Sequence, residues 1–379
     1  MNEHHSVAPT TVSGGAEAPD PTEPGVAAVR LSGVTVTYGT VRALDGLSLS
    51  VPAGSAVAVL GPSGAGKTTL LHVVAGFTTP TGGTVAVGGD TVAGPRQVLP
   101  PEHRRVGVVF QHYALWPHLS AVDTVAYPLR RQAVDARAAR RRALDLLDQL
   151  GVRDLAERRP AEMSGGQQQR VGVARALARE AVVYCLDEPT AHLDAALRGL
   201  LQEQIAERRR ASGAAAIYAT HDASEALALA DEVVLLRDGG AVQHGSPQEV
   251  YEQPVDRWAA QLTGPAAVLH VPVRRRATAT FEALVGDQAV PVAGVPTDAR
   301  AATHPLLVRP EWVELGGRLT GTVRHVWFRG PHTDHRLETP GGEIDVRAAG
   351  PPRAHPGDDV TWALRCGWLL PGPSEGEPS

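Results

Sequence analysis

From Val29 onward apolar and polar residues alternate in short bursts: VRLSGVTVTYG (29–39), SLSVPAG (48–54), SAVAVLG (55–61), TVAVGG (84–89) and RRVGVVF (104–110). Period-two runs broken by Gly and Pro predict strands. KTTLLHVVAGF (67–77) has the texture of a helix. Between about 119 and 180 the period becomes helical. In ARAARRRALDLLDQLG (136–151) Ala143, Leu144, Leu147 and Leu150 recur at helical spacing, the arginines form a solvated face, and Gly151 stands where a helix stop belongs. Wholly apolar strands return at 182–187, 214–220 and 232–236, with a helix from about 195 to 210. This alternation predicts an α/β fold with a mostly parallel sheet covered on both faces. Beyond about 266 short β-prone pieces such as GTVRHVWF and EIDVRA are broken by PGG and PPR. They predict a small β-barrel or sandwich. The division is therefore a disordered tail over 1–27, an α/β unit over 28–265 with a helical part at about 112–180, and an all-β unit over 266–379.

Composition changes this picture little. The 379 residues are 43% hydrophobic and 20% charged, ordinary for a globular chain. A net charge of −5 argues against a nucleic-acid partner, which calls for a basic face. Two cysteines, Cys185 and Cys366, cannot build a disulfide framework and fit a reducing compartment. The sequence has no run of eighteen apolar residues and no leader-like start, which predicts a cytoplasmic chain.

The chemistry begins at GPSGAGKTT. Gly61, Pro62, Ser63, Gly64, Ala65, Gly66, Lys67, Thr68 and Thr69 lie between an apolar strand and an apolar helix. That context makes the glycine-lysine pattern a nucleoside-triphosphate cradle, with backbone N–H groups on the phosphates. Lys67 would reach the β- and γ-phosphates and Thr68 would hold Mg²⁺. Lys67 is also the only lysine in the chain, every other basic position being arginine. A planar fork does not replace a compact ammonium in a tight loop. In VVYCLDEPT (182–190) Asp187 sits at a strand end, placed for Mg²⁺, and Glu188 beside it can act as general base on water. His221 ends the next apolar strand and could orient the γ-phosphate. Gln111, after VGVVF, is placed to touch Mg²⁺ or the attacking water.

MSGGQQQR (163–170) raises a separate question. Ser164, Gly165, Gly166 and Gln167 open a helix whose dipole and free N–H groups suit a phosphate, yet one triphosphate has one γ-phosphate. The second loop finds a use if it closes over the nucleotide of another copy in a head-to-tail pair.

With those residues the chain resembles the ABC ATPase family over about 28–265, on Gly61–Thr69, Gln111, Ser164–Gln167, Asp187–Glu188, Ala191–Asp194 and His221. The resemblance implies a P-loop cassette with a helical subdomain and an ATP-closed homodimer. It also implies adenine stacking on Tyr38. Met163 and His192 depart from the family's commoner residues. LLVRPEWVEL (306–315) resembles the TOBE domain, an oligonucleotide-binding-like β-fold of importer ATPases. That points to the energy-coupling subunit of an importer for ferric iron, polyamine or a related solute, peripheral on the cytoplasmic face of a bacterial membrane. Its partners would be permease subunits and, indirectly, an extracytoplasmic binding protein. QHYALWPHLSAVDTVAYPL (111–129), with Tyr113, Leu115, Trp116 and Leu119, resembles the surface that receives a permease helix. A soluble ABC ATPase acting on ribosomes or DNA is the alternative; a single lysine loop and the lack of sustained heptads speak against it.

Overall fold

A computed structural model of the chain describes residues 27–190, 195–277, 280–294, 296 and 301–371. The expected tail up to residue 26 and the Ala191–Asp194 stretch, His192 included, lie outside the described residues.

Strands β1 (Ala27–Tyr38) and β2 (Val41–Pro52) form a hairpin, and β3 (Ala56–Leu60) leads into helix α1 (Lys67–Ala75). Three short strands come next, β4 (Gly82–Val87), β5 (Asp90–Gly94) and β6 (Gln97–Val98), and then β7 (Val106–Val109). The early strands do not join one parallel sheet. They make a separate antiparallel sheet in the order β2-β1-β4-β5-β6: β1-β2, β4-β5 and β5-β6 are joined by hairpin-length connections, which permit only antiparallel pairing, and β1 meets β4 antiparallel across the longer connection through β2, β3 and α1.

The central sheet uses β3 and β7 with β8 (Val183–Asp187), β9 (Ala215–Thr220), β10 (Glu232–Arg237) and β11 (Gly240–Gly245), in the order β11-β10-β3-β9-β8-β7. Only β11 pairs antiparallel within it. Every residue of β3, β8 and β9 is buried. Alternation sorts them: Ala56, Ala58, Leu60, Tyr184 and Leu186 face one core, and Val57, Val59, Val183 and Cys185 the other. The second core is closed by α1 and the antiparallel sheet.

The helical region supplies α2 (Ala121–Arg131), α3 (Ala136–Gln149) and α4 (Gly165–Ala178), each with a side-chain N-cap, from Ser120, Asp135 and Ser164. Ala143, Leu147 and Leu150 are buried, Leu144 packs beside them, and Gly151 ends the turn at φ +63°. Helices α5 (Ala195–Ser212), α6 (Ala223–Leu229), α7 (Pro247–Glu252) and α8 (Arg257–Thr263) complete this part.

Among the described residues of 267–369, ten strands form two sheets, of six and four strands, packed on one core that includes Leu269, Leu306, Val323, Leu337, Val346 and Trp362. Arg309 ties this unit to the first. Fully buried, it donates to the carbonyls of Tyr251, Ala260, Gly264 and Pro265 and to Thr263 Oγ1, and lies 4.1 Å from the centre of the Tyr251 ring. Among the described residues no helix is long and apolar enough to cross a membrane.

Candidate active site

The loop between β3 and α1 is shaped by close backbone approach. A Cβ on Gly61 would stand 2.4 Å from Leu236 O, and one on Gly66, at φ +104°, 2.3 Å from Ala43 O. Glycine is the only residue that fits either place. Pro62, Ser63, Gly64 and Thr68 form an exposed rim, whereas Ala65 and Lys67 are buried. No side chain caps the N-terminus of α1, so its leading N–H groups face outward as an anion site. Lys67 Nζ folds back onto the loop, donating to Gly61 O at 2.7 Å and Pro62 O at 2.9 Å. Burial lowers its pKa, and the charges of Glu188 and Asp187 work against that shift. Tyr38, at the end of β1, is 54% exposed, with its hydroxyl 3.3 Å from Thr78 Oγ1.

Sheet order brings the other groups together. Strands β7, β8 and β9 are neighbours, so the residues just beyond their C-terminal ends meet at one edge of the cassette. Glu188 Oε1 lies 2.8 Å from His221 Nδ1, and Gln111 Nε2 donates to Glu188 Oε2 at 3.3 Å. One carboxylate is thereby held between an imidazole and an amide drawn from three strand ends. Asp187 is buried at 6% exposure, and burial raises its pKa. A hydrogen bond with Thr68 and the Lys67 and His72 charges oppose that rise, while Glu188 adds to it.

Glu188 adopts φ +46°, a left-handed conformation that costs a non-glycine residue roughly 1–2 kcal/mol. Its N–H donates to Ala219 O at 2.9 Å. Gln169, buried in α4, donates from Nε2 to Glu188 O at 3.4 Å and to Pro189 O. Behind the turn, the buried Glu225 carboxylate accepts from Thr190 Oγ1 and from Thr220 Oγ1, the latter at 2.7 Å. Gln169 and Glu225 hold the strand ends in place, and reasoning from the sequence missed both. For Gln169 the available signal was helical phase: Gly165, Gln169, Gly172 and Arg175 recur every three or four residues along one face of α4.

The second glycine loop is finished differently. Ser164 Oγ accepts from Gln167 N at 3.4 Å while Gln167 Oε1 accepts from Ser164 N at 2.8 Å, a reciprocal capping box. Ser164 and Gly165 are exposed, Gly166 and Gln167 half-buried, and Met163 is buried in the core behind them.

Comparison with known proteins places this geometry. Residues 44–191 match the model of the ABC transporter family, and residues 306–367 match the TOBE domain. The Fe(3+) ions import ATP-binding protein of Brucella abortus (strain 2308) is 40% identical over 327 residues, covering 84% of this chain and 90% of that protein. The chain belongs to the ABC transporter family. It is an ABC ATPase, a phosphate-loop cassette followed by a TOBE domain, of the kind that couples ATP hydrolysis to transport. The Spermidine/putrescine import ATP-binding protein of Frankia alni is 37% identical over 380 residues, covering 92% of this chain and 80% of that protein. Among solved structures, the dimeric post-hydrolysis state of the ATP-binding cassette MJ0796 bound to ADP and Pi superimposes with a TM-score of 0.54. It is 29% identical and covers 58% of this ABC ATPase and 98% of that chain.

Proposed function

We propose that this ABC ATPase is the energy-coupling subunit of an importer for ferric iron, polyamine or a related small solute, working as a head-to-tail homodimer beneath a separate permease on the cytoplasmic face of the membrane. The observation that carries the hydrolytic part is the Glu188 carboxylate, gripped by Gln111 and His221 beside Asp187 and the lysine loop.

In this reading the free N–H groups of α1 and Lys67 bind the phosphates, and Tyr38 stacks on the adenine. Lys67 exchanges its two loop carbonyls for phosphate oxygens, a stronger charge-assisted contact. Glu188 takes a proton from the attacking water, and His221 orients the γ-phosphate. The Thr68 hydroxyl and the Asp187 carboxylate, hydrogen-bonded to each other, and the Gln111 amide oxygen would supply hard oxygen donors, a set that suits Mg²⁺. Bound there, the ion would neutralise charge on the β- and γ-phosphate oxygens. Ser164, Gly165, Gly166 and Gln167 close on the γ-phosphate of the partner copy.

Support for a permease partner comes from a groove of about 660 Å³ between the cassette core and the helical region, lined by Phe77, Phe110, Trp116, Tyr127, Arg131 and Arg175. The half-buried Trp116 and the exposed Tyr127 pack their rings 4.8 Å apart in it, and aromatic residues serve as interface anchors. Leu115 packs inward against the core.

Glu188→Gln should still bind ATP and form the closed dimer while turnover falls by about 10²–10⁴-fold, the usual worth of a general base. Wild-type turnover in that variant would refute the assignment. Gentle solubilisation of native membranes, followed by mass spectrometry of whatever copurifies, tests the importer reading. A permease at matching stoichiometry supports it and the associated binding protein narrows the cargo; recovery with ribosomes or DNA instead would leave the ATPase chemistry and remove the transport role.

A further inference from the structure

The turn that carries Gln111 toward Glu188 is built from an unfavourable conformation. After Gln111 the chain passes through Tyr113 at φ +59° and Ala114 at φ +46°, two consecutive non-glycine residues in the left-handed region. Such a pair persists only where its surroundings over-determine it. Here short backbone bonds, Tyr113 N to Phe110 O at 3.0 Å and Ala114 N to His112 O at 2.6 Å, are joined by one buried side chain. Arg175, three turns into α4, donates from Nη2 to Tyr113 O at 3.1 Å and from Nη1 to Ala114 O. Its guanidinium also lies 5.8 Å from the ring centre of Phe110 and 5.5 Å from that of Trp116, so it fixes the residues on both sides of the turn as well as the turn itself.

The cost of placing it there shows that the arrangement is specific. Arg175 is 9% exposed, and burial lowers its pKa to about 10. Among the described residues its partners are carbonyls and aromatic faces rather than a carboxylate. A planar fork can bridge two adjacent carbonyls in this way, whereas an ammonium offers one point of charge.

We infer that Arg175 is the positioning residue for Gln111, pinning the Tyr113–Ala114 turn in its left-handed form so that the Gln111 amide reaches the Glu188 carboxylate. The inference rests on the hydrolytic role given above to Gln111 and Glu188.

The test is a double-mutant cycle on the purified full chain, with kcat and KM for ATP measured in the presence of Mg²⁺. Gln111→Ala and Arg175→Gln should each lower kcat by about tenfold with KM for ATP held within about twofold, as for a contact made in the transition state. Because both changes act through one contact, the double variant should fall less than about twofold below the lower single variant. Ala114→Gly in the Arg175→Gln background should then recover at least about threefold of kcat, since glycine adopts positive φ without strain. Tm followed in parallel and kcat expressed per folded protein separate this recovery from a gain in stability. Losses that multiply in the double variant, a fall in Tm with unchanged kcat, or no recovery with Ala114→Gly would overturn the inference. Unchanged kcat in Gln111→Ala by itself would overturn the role of Gln111 and the inference with it. Should Arg175→Gln fail to fold, Arg175→Lys replaces it in the same comparison, and wild-type kcat in the lysine variant would overturn the fork argument.

Discussion

Two helix N-termini in this ABC ATPase carry glycine loops of similar composition, and they are finished in opposite ways. At α1 no side chain caps the helix, Gly61 and Gly66 are forced by backbone approaches that admit no Cβ, and Lys67 is buried against its own loop carbonyls. At α4 the Ser164–Gln167 box satisfies the helix end internally, and Ser164 and Gly165 stand exposed. The first end is incomplete without an anion. The second is stable in water and can wait for a nucleotide brought by another copy. In the proposed dimer, similar glycine-rich loops would serve as a binding site in one place and as a docking edge in the other, and capping distinguishes them.

The largest effect should come from separating the two ends. Lys67→Ala and Ser164→Arg chains should each be nearly inactive, yet a mixture should recover turnover above the sum of its components. The mixed dimer keeps one intact composite site, joining the lysine loop of one copy to the Ser164 loop of the other. A mixture no better than its parts, or a Ser164→Arg chain that keeps wild-type turnover by itself, would break the composite-site reading.

Smaller effects test the contrast in stability. Ser164→Ala removes a cap and should cost the nucleotide-free chain about 1 kcal/mol, or about 2–4 °C in Tm. Asp187→Asn should shift Tm the other way. The folded Asp187 carboxyl binds its proton more tightly than an unfolded one, because burial penalises its charge. Its contribution to stability is therefore present below the ordinary carboxylate range and is lost as pH rises through its folded pKa. At neutral pH the ionised carboxylate costs stability, which the amide removes. The gain in Tm should shrink toward about pH 4, where an ordinary carboxyl takes up its proton, and Mg²⁺-dependent turnover should be lost; a lower Tm at neutral pH would break the contrast.

Much of the site was legible in advance, for identifiable reasons. Gly61 to Thr69 could be read because positive φ and tight approach leave glycine no substitute, and a lone lysine in an arginine-rich chain stands out. Asp187, Glu188 and His221 were legible as polar residues ending wholly apolar strands. The antiparallel sheet was not foreseen, since alternation predicts a strand without naming its neighbour. Arg104, Arg175 and Arg309 were illegible for a related reason. An arginine in a sequence reads as a solvated charge, but these three are buried and hold carbonyls far along the chain, such as Val73 O for Arg104 and Tyr113 O for Arg175.

By itself the sequence determined what is local: the phosphate loop, the helix caps, the apolar strands and the change of texture after residue 266. Local structure arises from φ/ψ limits and from the period of burial, and both are written in neighbouring residues. Tertiary structure decided that β7, β8 and β9 lie side by side, so that Gln111, Glu188 and His221 share one carboxylate. It also decided that Gln169 and Arg175, on one helix, hold the strained turns at Glu188 and at Tyr113–Ala114. Those contacts join residues far apart in the chain, and no local propensity encodes them. They exist because buried backbone carbonyls must find donors, and the packing of α4 against the sheet is what supplies them.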